Sequence, residues 1–440
     1  MTLALLMVAC EGDVVGDGGG PTAVRIVYGT QADAVQTVEC ATLPLTAIAS
    51  FSGGQTGDTN VSSRVTWRSS NPGVIDVSNG EIETAPGSGA TFPAGTVIAR
   101  TTGDAVIRAD YAGLQALFAV SAATLESLRI APPLTRMTPD SSTTFRLYAR
   151  AAKDQLEQDL SDSAVWQLPG NSQAAEISSG STVRAHANPL ATPFTLEARL
   201  YSCDRSRSLA LQLAVPTALR LSYEQPESVA VPLLLGDRLR VDAVFADASA
   251  PPQNLSAQVD VETADGYAPD IATTSVASST VSRSRDVATC TALALATPCA
   301  YLEPNDYLMV DGLQRNKPVR LMLSFDPTGL ALGVVTREYR FADLDLSAVS
   351  LSAPAASLRH PDLGWLEASG TFNDGEARPV SRYVGWLSED TDLLTVTPSG
   401  LDGGLLTPAN LNGIARVYAR TTSSLAGEIE DSLEVLIERQ

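Results

Sequence analysis

The sequence predicts an all-β protein made of four tandem β-sandwich domains arranged as a rod. Short runs of alternating apolar and polar residues recur along the chain, separated by clusters of Gly, Pro, Asn and Ser. A Trp placed near the end of such a run recurs at a nearly constant interval. No stretch shows the apolar period of a long helix. Together these observations favour strands joined by tight turns.

The composition supports several globular domains. The chain has 440 residues, of which 44% are hydrophobic and 18% are charged. A chain of this length is expected to divide into domains of about 100–150 residues each. The formal net charge is −20, and an acidic surface repels phosphate backbones. Nucleic acid is therefore not an expected partner, and the acidity is read first as an aid to solubility.

The first 21 residues are predicted to be a lipoprotein signal and a tether. An apolar run, Leu3–Ala9, is too short to span a bilayer and ends in a small residue before Cys10. This order resembles the lipobox of a bacterial lipoprotein, with a signal ending near residue 9 and Cys10 as the lipidated residue. The polar, Gly-rich segment 11–20 suits a flexible tether. No Lys or Arg precedes the run, unlike a typical signal peptide, so either the natural start lies upstream of Met1 or the match is chance.

The first domain is predicted at residues 22–123. About seven short strands within about 100 residues are the pattern of an immunoglobulin-like sandwich. The predicted strands are Val24–Tyr28, Leu45–Phe51, Val65–Trp67, Val74–Val77, Gly95–Arg100, Asp104–Tyr111 and Ala116–Val120.

Three further domains are predicted at 124–215, 216–343 and 344–440. Each opens on a similar short apolar strand, and Thr143–Arg150 is predicted as one alternating strand with Phe145, Leu147 and Ala149 on one face. The third domain carries an insertion at about 273–303, where Ala-rich Ala288–Ala300 could make a helical turn.

The tryptophans set the period of the repeat. Trp67 and Trp166 are 99 residues apart, and Trp166 and Trp386 are 220 apart, or twice 110. One marker is thus skipped in the third domain, where the stretch Val259–Val261 takes its place. A period of this size indicates tandem domains rather than a solenoid. Trp67, Trp166 and Trp386 are each predicted to be core anchors between the two sheets.

The fourth domain carries a family resemblance. Its segments Gly370–Ser381, Val384–Ser388 and Asp392–Val396 resemble the bacterial Ig-like group 2 (BIG2) domain. The first domain matches in Trp67–Pro72 and Val74–Gly80. The resemblance covers most of residues 22–440. It implies a two-sheet sandwich in a cell-surface or periplasmic protein, and a scaffold family with no catalytic residues to carry over.

The cysteines are predicted to form two disulfides. In tandem sandwiches of this topology, the loops that hold Cys40 and Cys203 meet where the first two domains join, which predicts a Cys40–Cys203 bond. Free buried thiols and bonds between chains are the alternatives. Cys290 and Cys299 are nine residues apart in the insertion and are predicted to close a small loop. Without Cys10 the cysteine count is even, which suits an oxidising compartment.

The sequence offers little catalytic chemistry. The two histidines, His186 and His360, are predicted to be surface residues. No G-x-S-x-G elbow, phosphate-binding loop or C-x-x-C pair occurs, so no catalytic residue, metal or cofactor is expected. Glu389, Asp390 and Asp392 are weak calcium candidates, and a solvated acidic edge is the alternative.

These features predict an exported, lipid-anchored, non-catalytic protein of the bacterial cell envelope or surface. It would act as a structural scaffold, an adhesin-like rod or a subunit of an extracellular assembly, with protein partners that include further copies of itself. The third-domain insertion is the first candidate for a partner contact, and exposed strand edges are the second. A carbohydrate-binding or enzyme-accessory module is the alternative; it requires a row of exposed aromatic residues, and only 5% of the chain is aromatic. A true enzyme comes third.

Overall fold

The computed structural model describes residues 20–51, 58–152, 157–170, 173–187, 193–264, 272–315, 317–326, 332–424 and 426–439. Within these ranges the regular structure is almost entirely β-strand. The chain divides into two compact units: Met1–Thr124 with Tyr201–Cys203, and Leu125–Leu200 with Asp204–Gln440. The first unit contains one immunoglobulin-like sandwich and the second contains three.

The first sandwich consists of ten short strands. They are β1 (Pro21–Val27), β2 (Ala34–Val38), β3 (Thr42–Pro44), β4 (Thr46–Phe51), β5 (Asp58–Asn60), β6 (Thr66–Ser69), β7 (Ile75–Val77), β8 (Thr96–Ala99), β9 (Gly103–Tyr111) and β10 (Leu114–Ala123). The sheet orders are β1-β4-β5, β2-β10-β9-β6 and β3-β8-β7, and β2 runs parallel to β10. Trp67, Ile107 and Phe118 are buried together in its core.

The second sandwich repeats this plan. Its strands are β11 (Leu125–Ala131), β12 (Arg136–Met137), β13 (Ser142–Thr144), β14 (Arg146–Ala151), β15 (Gln158–Asp159), β16 (Val165–Gln167), β17 (Ala175–Ser179), β18 (Thr182–Ala185), β19 (Phe194–Leu200) and β20 (Arg205–Leu213). The sheet orders are β11-β14-β15, β12-β20-β19-β16 and β13-β18-β17. A 3-10 turn, Ser161–Ser163, precedes β16.

The third sandwich departs from the plan. Its elements are β21 (Ala218–Tyr223), β22 (Val231–Pro232), β23 (Asp237–Val244), β24 (Gln253–Asn254), β25 (Asp260–Thr263), β26 (Ala272–Ser284), α1 (Val287–Ala292), β27 (Cys299–Gly312), β28 (Pro318–Ser324) and β29 (Val334–Ala342). One sheet has the order β22-β29-β28-β25 and the other β21-β23-β27-β26, with β24 on β23. A long hairpin, β26–β27, thus stands where the other sandwiches have a small third sheet.

The fourth sandwich returns to the plan. Its strands are β30 (Leu346–Ser352), β31 (Ser357–Arg359), β32 (Gly364–Trp365), β33 (Glu367–Phe372), β34 (Ala377–Pro379), β35 (Gly385–Ser388), β36 (Leu394–Val396), β37 (Leu405–Pro408), β38 (Gly413–Ser423) and β39 (Gly427–Glu438). The sheet orders are β30-β33-β34, β31-β39-β38-β35 and β32-β37-β36.

One predicted strand is divided in the structure. The stretch Thr143–Arg150 breaks at Phe145, because β13 pairs with β18 in one sheet and β14 pairs with β11 in another. Phe145, Leu147 and Ala149, predicted to share one face, are all buried. Tyr148, which the same alternation places on the opposite face, is also buried.

The four sets of strands begin close to the predicted opening strands, while the finer domain limits stay predictions. The predicted helical turn within Ala288–Ala300 corresponds to α1, which begins one residue earlier and ends at Ala292.

Candidate interaction site at the third-sandwich hairpin

The insertion predicted in the third domain corresponds to the hairpin, whose two strands pair along almost their whole length. Strands β26 and β27 pair from Ala272 with Gly312 to Ser284 with Cys299, with one irregularity between Ser279 and Val281. Beyond Ser284 the chain enters α1, whose first turn is capped because Asp286 accepts a hydrogen bond from the Thr289 amide at 2.8 Å. The Cys290–Cys299 disulfide closes this tip, as the sequence predicts.

The hairpin packs on the fourth sandwich. Val281 and Ala300 form an apolar cluster with Trp365 and Leu405. Ala300 also forms a bridge with Leu363. A segment proposed from the sequence as a contact for another protein therefore has one face occupied by its own chain.

Hydrogen bonds also hold the hairpin against the fourth sandwich. Ser279 donates a hydrogen bond to Asp402 at 2.7 Å, and Arg283 donates to the Gly403 carbonyl at 3.2 Å. Burial lowers the pKa of Arg283, yet a guanidinium remains charged in proteins. The carbonyl and the Asp402 charge nearby therefore compensate part of its lost hydration.

The other side of the hairpin meets the second sandwich. Arg129 stacks over the Tyr148 ring at 4.6 Å, pairs with Glu157 and donates to the Leu302 carbonyl at 2.5 Å. Arg150 donates to the Leu293 carbonyl at 3.3 Å. This contact explains the burial of Tyr148, which raises its pKa. Sequence alternation alone could not show that an element 150 residues away covers the outer face of β14.

The junction between the third and fourth sandwiches is ionic. Glu224 pairs with Arg382 at 2.9 Å, and both side chains are about nine-tenths buried. Arg378, fully buried, donates to the Ala230 carbonyl at 2.9 Å and pairs with Asp374. Both arginines follow a turn at Asp374 and Gly375, which has Gly375 at positive φ. These contacts fix the end of the fourth sandwich on the third.

A glutamine makes the junction between the second and third sandwiches. The buried Gln253 amide accepts from the Thr138 amide at 2.7 Å and donates to Ser141 at 2.8 Å and to Thr143 at 3.0 Å. Gln258 accepts from the Ser142 amide at 2.6 Å and donates to its carbonyl at 2.8 Å. Because an unpaired buried amide is costly, these bonds favour one arrangement of the two sandwiches.

The first unit contains the other predicted disulfide. The Cys40 and Cys203 sulfurs are 2.03 Å apart, and Ser202 donates to the Cys40 carbonyl at 2.9 Å. Both cysteines belong to that unit, although Cys203 follows β19 of the second sandwich in sequence.

Two of the three tryptophans match their predicted role fully. Trp67 and Trp386 are buried, whereas Trp166 is only partly buried. Gly95 lies under the Trp67 ring and Gly404 under the Trp386 ring, so close that a Cβ would come within about 3 Å of the indole. In the second sandwich Ser181 stands at the corresponding place, where its carbonyl accepts a hydrogen bond from the Phe145 amide at 3.1 Å.

A serine five residues before each tryptophan organises the same region, and sequence reasoning missed it. The carbonyls of Ser62, Ser161 and Ser381 accept the indole N–H bonds at 2.9, 3.3 and 2.8 Å. The hydroxyls of these serines and of Ser256 each accept a backbone N–H at 2.9 Å. Val261 follows Ser256 by the same five residues, as its predicted place requires. The constant interval of five residues between each serine and its tryptophan, or Val261, was a signal that could have been found.

The remaining polar candidates serve local structure. His186 Nδ1 lies 2.9 Å from the Gln173 carbonyl. His360, predicted at the surface, is buried, and its Nδ1 lies 2.9 Å from the Pro408 carbonyl. The prediction failed because the loop after β31 folds onto β37 and β39, and the His360 amide donates to Glu438.

The weak calcium candidates do not converge. Asp390 accepts the Asp392 and Leu393 amides at 3.1 Å each, and Glu389 accepts from the Tyr418 hydroxyl at 3.3 Å. Among the described residues no group of three or more Asp, Glu, His or Cys side chains is placed to hold a metal ion. The cluster acts as a turn at the start of β36.

A cleft of about 550 Å³ lies between the hairpin tip and the fourth sandwich. Its walls are mostly small apolar residues, including Ala296, Pro298 and Pro354, with Arg359, Asp362 and Glu438 as charged members. Burial raises the pKa of Asp362, while the nearby Arg150 opposes that change.

Cys10 and residues 11–19 lie outside the described residues. Across the part that the structure describes, no helix has the length and apolarity needed to cross a membrane.

Comparisons with known proteins give similarity to solved structures only. No family model matches the chain, and no curated protein matches it significantly. Domains 4–9 of the surface-layer protein SbsC are similar over 95% of this chain and 66% of that one, at 12% identity and a TM-score of 0.23. This chain thus spans just under two thirds of that fragment.

Two further multi-domain fragments match in the same way. The four N-terminal Ig domains of Dscam1 isoform 4.4 match over 96% of this chain and 100% of theirs, at 9% identity and a TM-score of 0.20. Cadherin domains 3–6 of protocadherin gamma B2 match over 93% and 98%, at 12% identity and a TM-score of 0.16. Likeness of this size says nothing about what the present chain binds.

Proposed function

We propose that this protein is a non-catalytic, exported scaffold of the bacterial cell envelope or surface, anchored by lipid at Cys10 and built from BIG2-like domains. The observation that carries the proposal is the set of contacts between successive sandwiches in residues 125–440. Gln253 serves one junction, the Glu224–Arg382 pair serves the next, and the hairpin contacts both neighbours of its own sandwich. Contacts that fix successive domains relative to one another suit a scaffold, because a scaffold must keep the sites it carries at a constant distance.

The disulfides support export. Two cysteine pairs lie at bonding distance, and such bonds persist in oxidising compartments such as the periplasm or the cell exterior.

The carbohydrate-binding alternative has little support. Among the described aromatic residues, Tyr223 alone is classed as exposed, and its ring is covered by Arg337 at 3.9 Å. A sugar-binding row of exposed rings is therefore missing from the described surface.

The scaffold role is tested by identifying neighbours in intact envelopes. The chain has only two lysines, Lys153 and Lys317, so carboxyl-directed or photoreactive cross-linkers are better suited than amine-directed ones. Specific envelope proteins, or further copies of the chain, should be captured. Capture of none, together with binding on a glycan array, would replace the proposal with the carbohydrate-binding alternative.

The anchor is tested separately with Cys10→Ala. The unchanged chain should incorporate a labelled fatty acid and fractionate with membranes, because acylation supplies the apolar anchor. The variant should lose the label and move to the soluble fraction. A Cys40→Ala/Cys203→Ala variant controls for loss of any cysteine, and label retained in Cys10→Ala would refute the anchor.

A further inference from the structure

The hairpin presents the longest outer strand among the sheets described. Strand β26 has 13 residues and ends the sheet order β21-β23-β27-β26, so one of its edges has no strand partner in the described part. Outer strands β5, β15 and β34 have only three, two and three residues. Short outer strands protect a sheet against pairing with another chain, and β26 lacks this protection.

The chemistry of β26 also lacks the usual protection. Residues 272–282, ATTSVASSTVS, include no charged residue, no Pro and no Gly. Charged side chains and Pro are the common devices that block edge pairing. This run therefore has none of these devices along its length.

The accessible part of this edge is Ala272–Ser278. From Ser279 onward the strand is held against the fourth sandwich by the contacts of Ser279, Val281 and Arg283. Ser279 and Val281 are buried, whereas Thr273–Val276 and Ser278 are exposed.

At this edge, exposed side chains of β26 lie directly beside buried core side chains of β27. Val276 is 52% exposed although it pairs with Leu308, which is buried. Thr274 likewise pairs with the buried Val310 but is itself exposed. A further strand along β26 would continue this row of side chains and satisfy the open backbone groups.

We propose that the occupant is the same edge of a second copy of this chain, paired antiparallel about Ser275. Opposite residues must lie on the same face of the joint sheet, and Ser275 is the midpoint of the accessible segment. This register places Thr274 of each copy opposite Val276 of the other, so all seven residues pair. Cross-strand pairs of β-branched residues stabilise such sheets, and a twofold contact closes on itself.

Charge does not oppose this occupant at the edge itself. Two copies that each carry −20 repel one another over most surfaces. The uncharged Ala272–Ser278 edge lets them approach without bringing like charges into register. The inference rests on the proposed binding function, which it deepens by naming the partner as a second copy.

The register is tested by cross-linking the full chain, with Cys10→Ala as background so that no odd cysteine remains. Pairing about Ser275 brings the two copies of that residue to a Cβ separation of about 4.5–5.5 Å, close to disulfide reach. Ser275→Cys should therefore form covalent dimers on mild oxidation. Ala119→Cys is the matched control, because Ala119 is exposed but lies on β10, which is paired on both sides there. Dimers no more abundant than in the control would overturn the proposal.

The association itself is measured by sedimentation across a dilution series. The Cys10→Ala chain should dimerise reversibly, and Val276→Lys should shift it to monomer, because a charge on each edge repels its counterpart. Unchanged hydrogen exchange at Leu308 would show that the variant is folded. A parent chain that stays monomeric, or a variant that dimerises equally, would refute the edge. A monomeric parent that still captures envelope proteins would retain the proposed scaffold function and remove only this inference.

Discussion

The first and third sandwiches solve the same packing problem differently. In the first, Trp67 fills the space between the sheets and lies on Gly95, just before strand β8 of a small third sheet. In the third, Val261 stands at the tryptophan position and the third sheet is absent from the described strands. There, the Phe341 ring lies on Gly312, which ends the long hairpin strand β27. Both cores thus use an aromatic ring against a glycine, at different places in the strand order.

The serine is common to both. Ser62 accepts the Ala47 amide and Ser256 accepts the Val241 amide, each at 2.9 Å. Each serine is in turn held by an asparagine two residues earlier, Asn60 or Asn254, at 2.7 Å. The polar connection between strands is therefore independent of the tryptophan. The large aromatic side chain of the core can come from a different strand when another element fills the space of the tryptophan. In the third sandwich that element is the hairpin, which also extends to the neighbouring sandwiches.

The largest expected effect separates the two disulfides. The chain-entropy relation gives about 5 kcal/mol for a bond of sequence separation 163 and about 2.5 kcal/mol for a separation of nine. Cys40→Ala/Cys203→Ala should therefore reduce the free energy of unfolding more than Cys290→Ala/Cys299→Ala. Denaturant melts with hydrogen-exchange mass spectrometry, which resolves the sandwiches, would measure this. Equal losses would contradict the view that the first sandwich depends more on its long-range bond.

The tryptophans should rank by burial. Trp67→Ala should cost about 3–5 kcal/mol, because a large buried side chain leaves a cavity. Trp166→Ala should cost clearly less, since that ring is partly exposed and its N–H bond is longer at 3.3 Å. Amide protection in β9 and in β19 reports the two cases. A similar cost at both positions would mean that burial does not decide their contribution.

The glycine under Trp67 is tested against a matched glycine. Gly95→Ala meets both a positive φ of 89° and contacts with Leu45 and Trp67, whereas Gly80 has a positive φ of 106° with open space around it. The backbone penalty is about 1–2 kcal/mol for each, and crowding adds about 1–3 kcal/mol at Gly95 only. Thermal and denaturant unfolding of both variants would show the difference. Equal destabilisation would exclude crowding.

The serines should be equivalent despite the different cores. Ser62→Ala and Ser256→Ala each leave a buried amide without its acceptor, which costs about 1–3 kcal/mol. Exchange of the Ala47 and Val241 amides should accelerate to a similar extent. Strong acceleration at one position and none at the other would show that the serine connection is not common to both sandwiches.

The smallest effect is expected at the hairpin surface. Arg285 pairs with Glu367 at 2.7 Å, but both side chains are largely exposed. Exposed pairs contribute about 0–1 kcal/mol, so Arg285→Gln should hardly change the protection of Ala300 or Leu405. Val281→Ala in the apolar cluster serves as the contrast and should lower the protection of Ala300 and Leu405, because it removes part of the packing between the hairpin and the fourth sandwich. A large loss of amide protection in Arg285→Gln, with none in Val281→Ala, would show that the ion pair rather than the apolar cluster stabilises the hairpin.

The sequence by itself determined the all-β class, the number of sandwiches and both cysteine pairings. These follow from local alternation, from turn residues and from the spacing of a few markers, which act over short distances or repeat along the chain. It also indicated where the third domain breaks the pattern. Lipidation at Cys10, the BIG2 family and the domain limits remain predictions.

Only the tertiary structure decided what the broken repeat does. Alternation along β14 placed Tyr148 on the face opposite to Leu147, but the hairpin contacts that face as well, and Tyr148 is buried. His360 is buried by strands that come later in the chain. Contacts between residues far apart in sequence depend on how whole sheets pack, and no local pattern encodes them. The sequence predicted a partner contact at the insertion. In the fold, the half of the hairpin nearer its tip packs against neighbouring sandwiches of the same chain, and the edge at Ala272–Ser278 stays open.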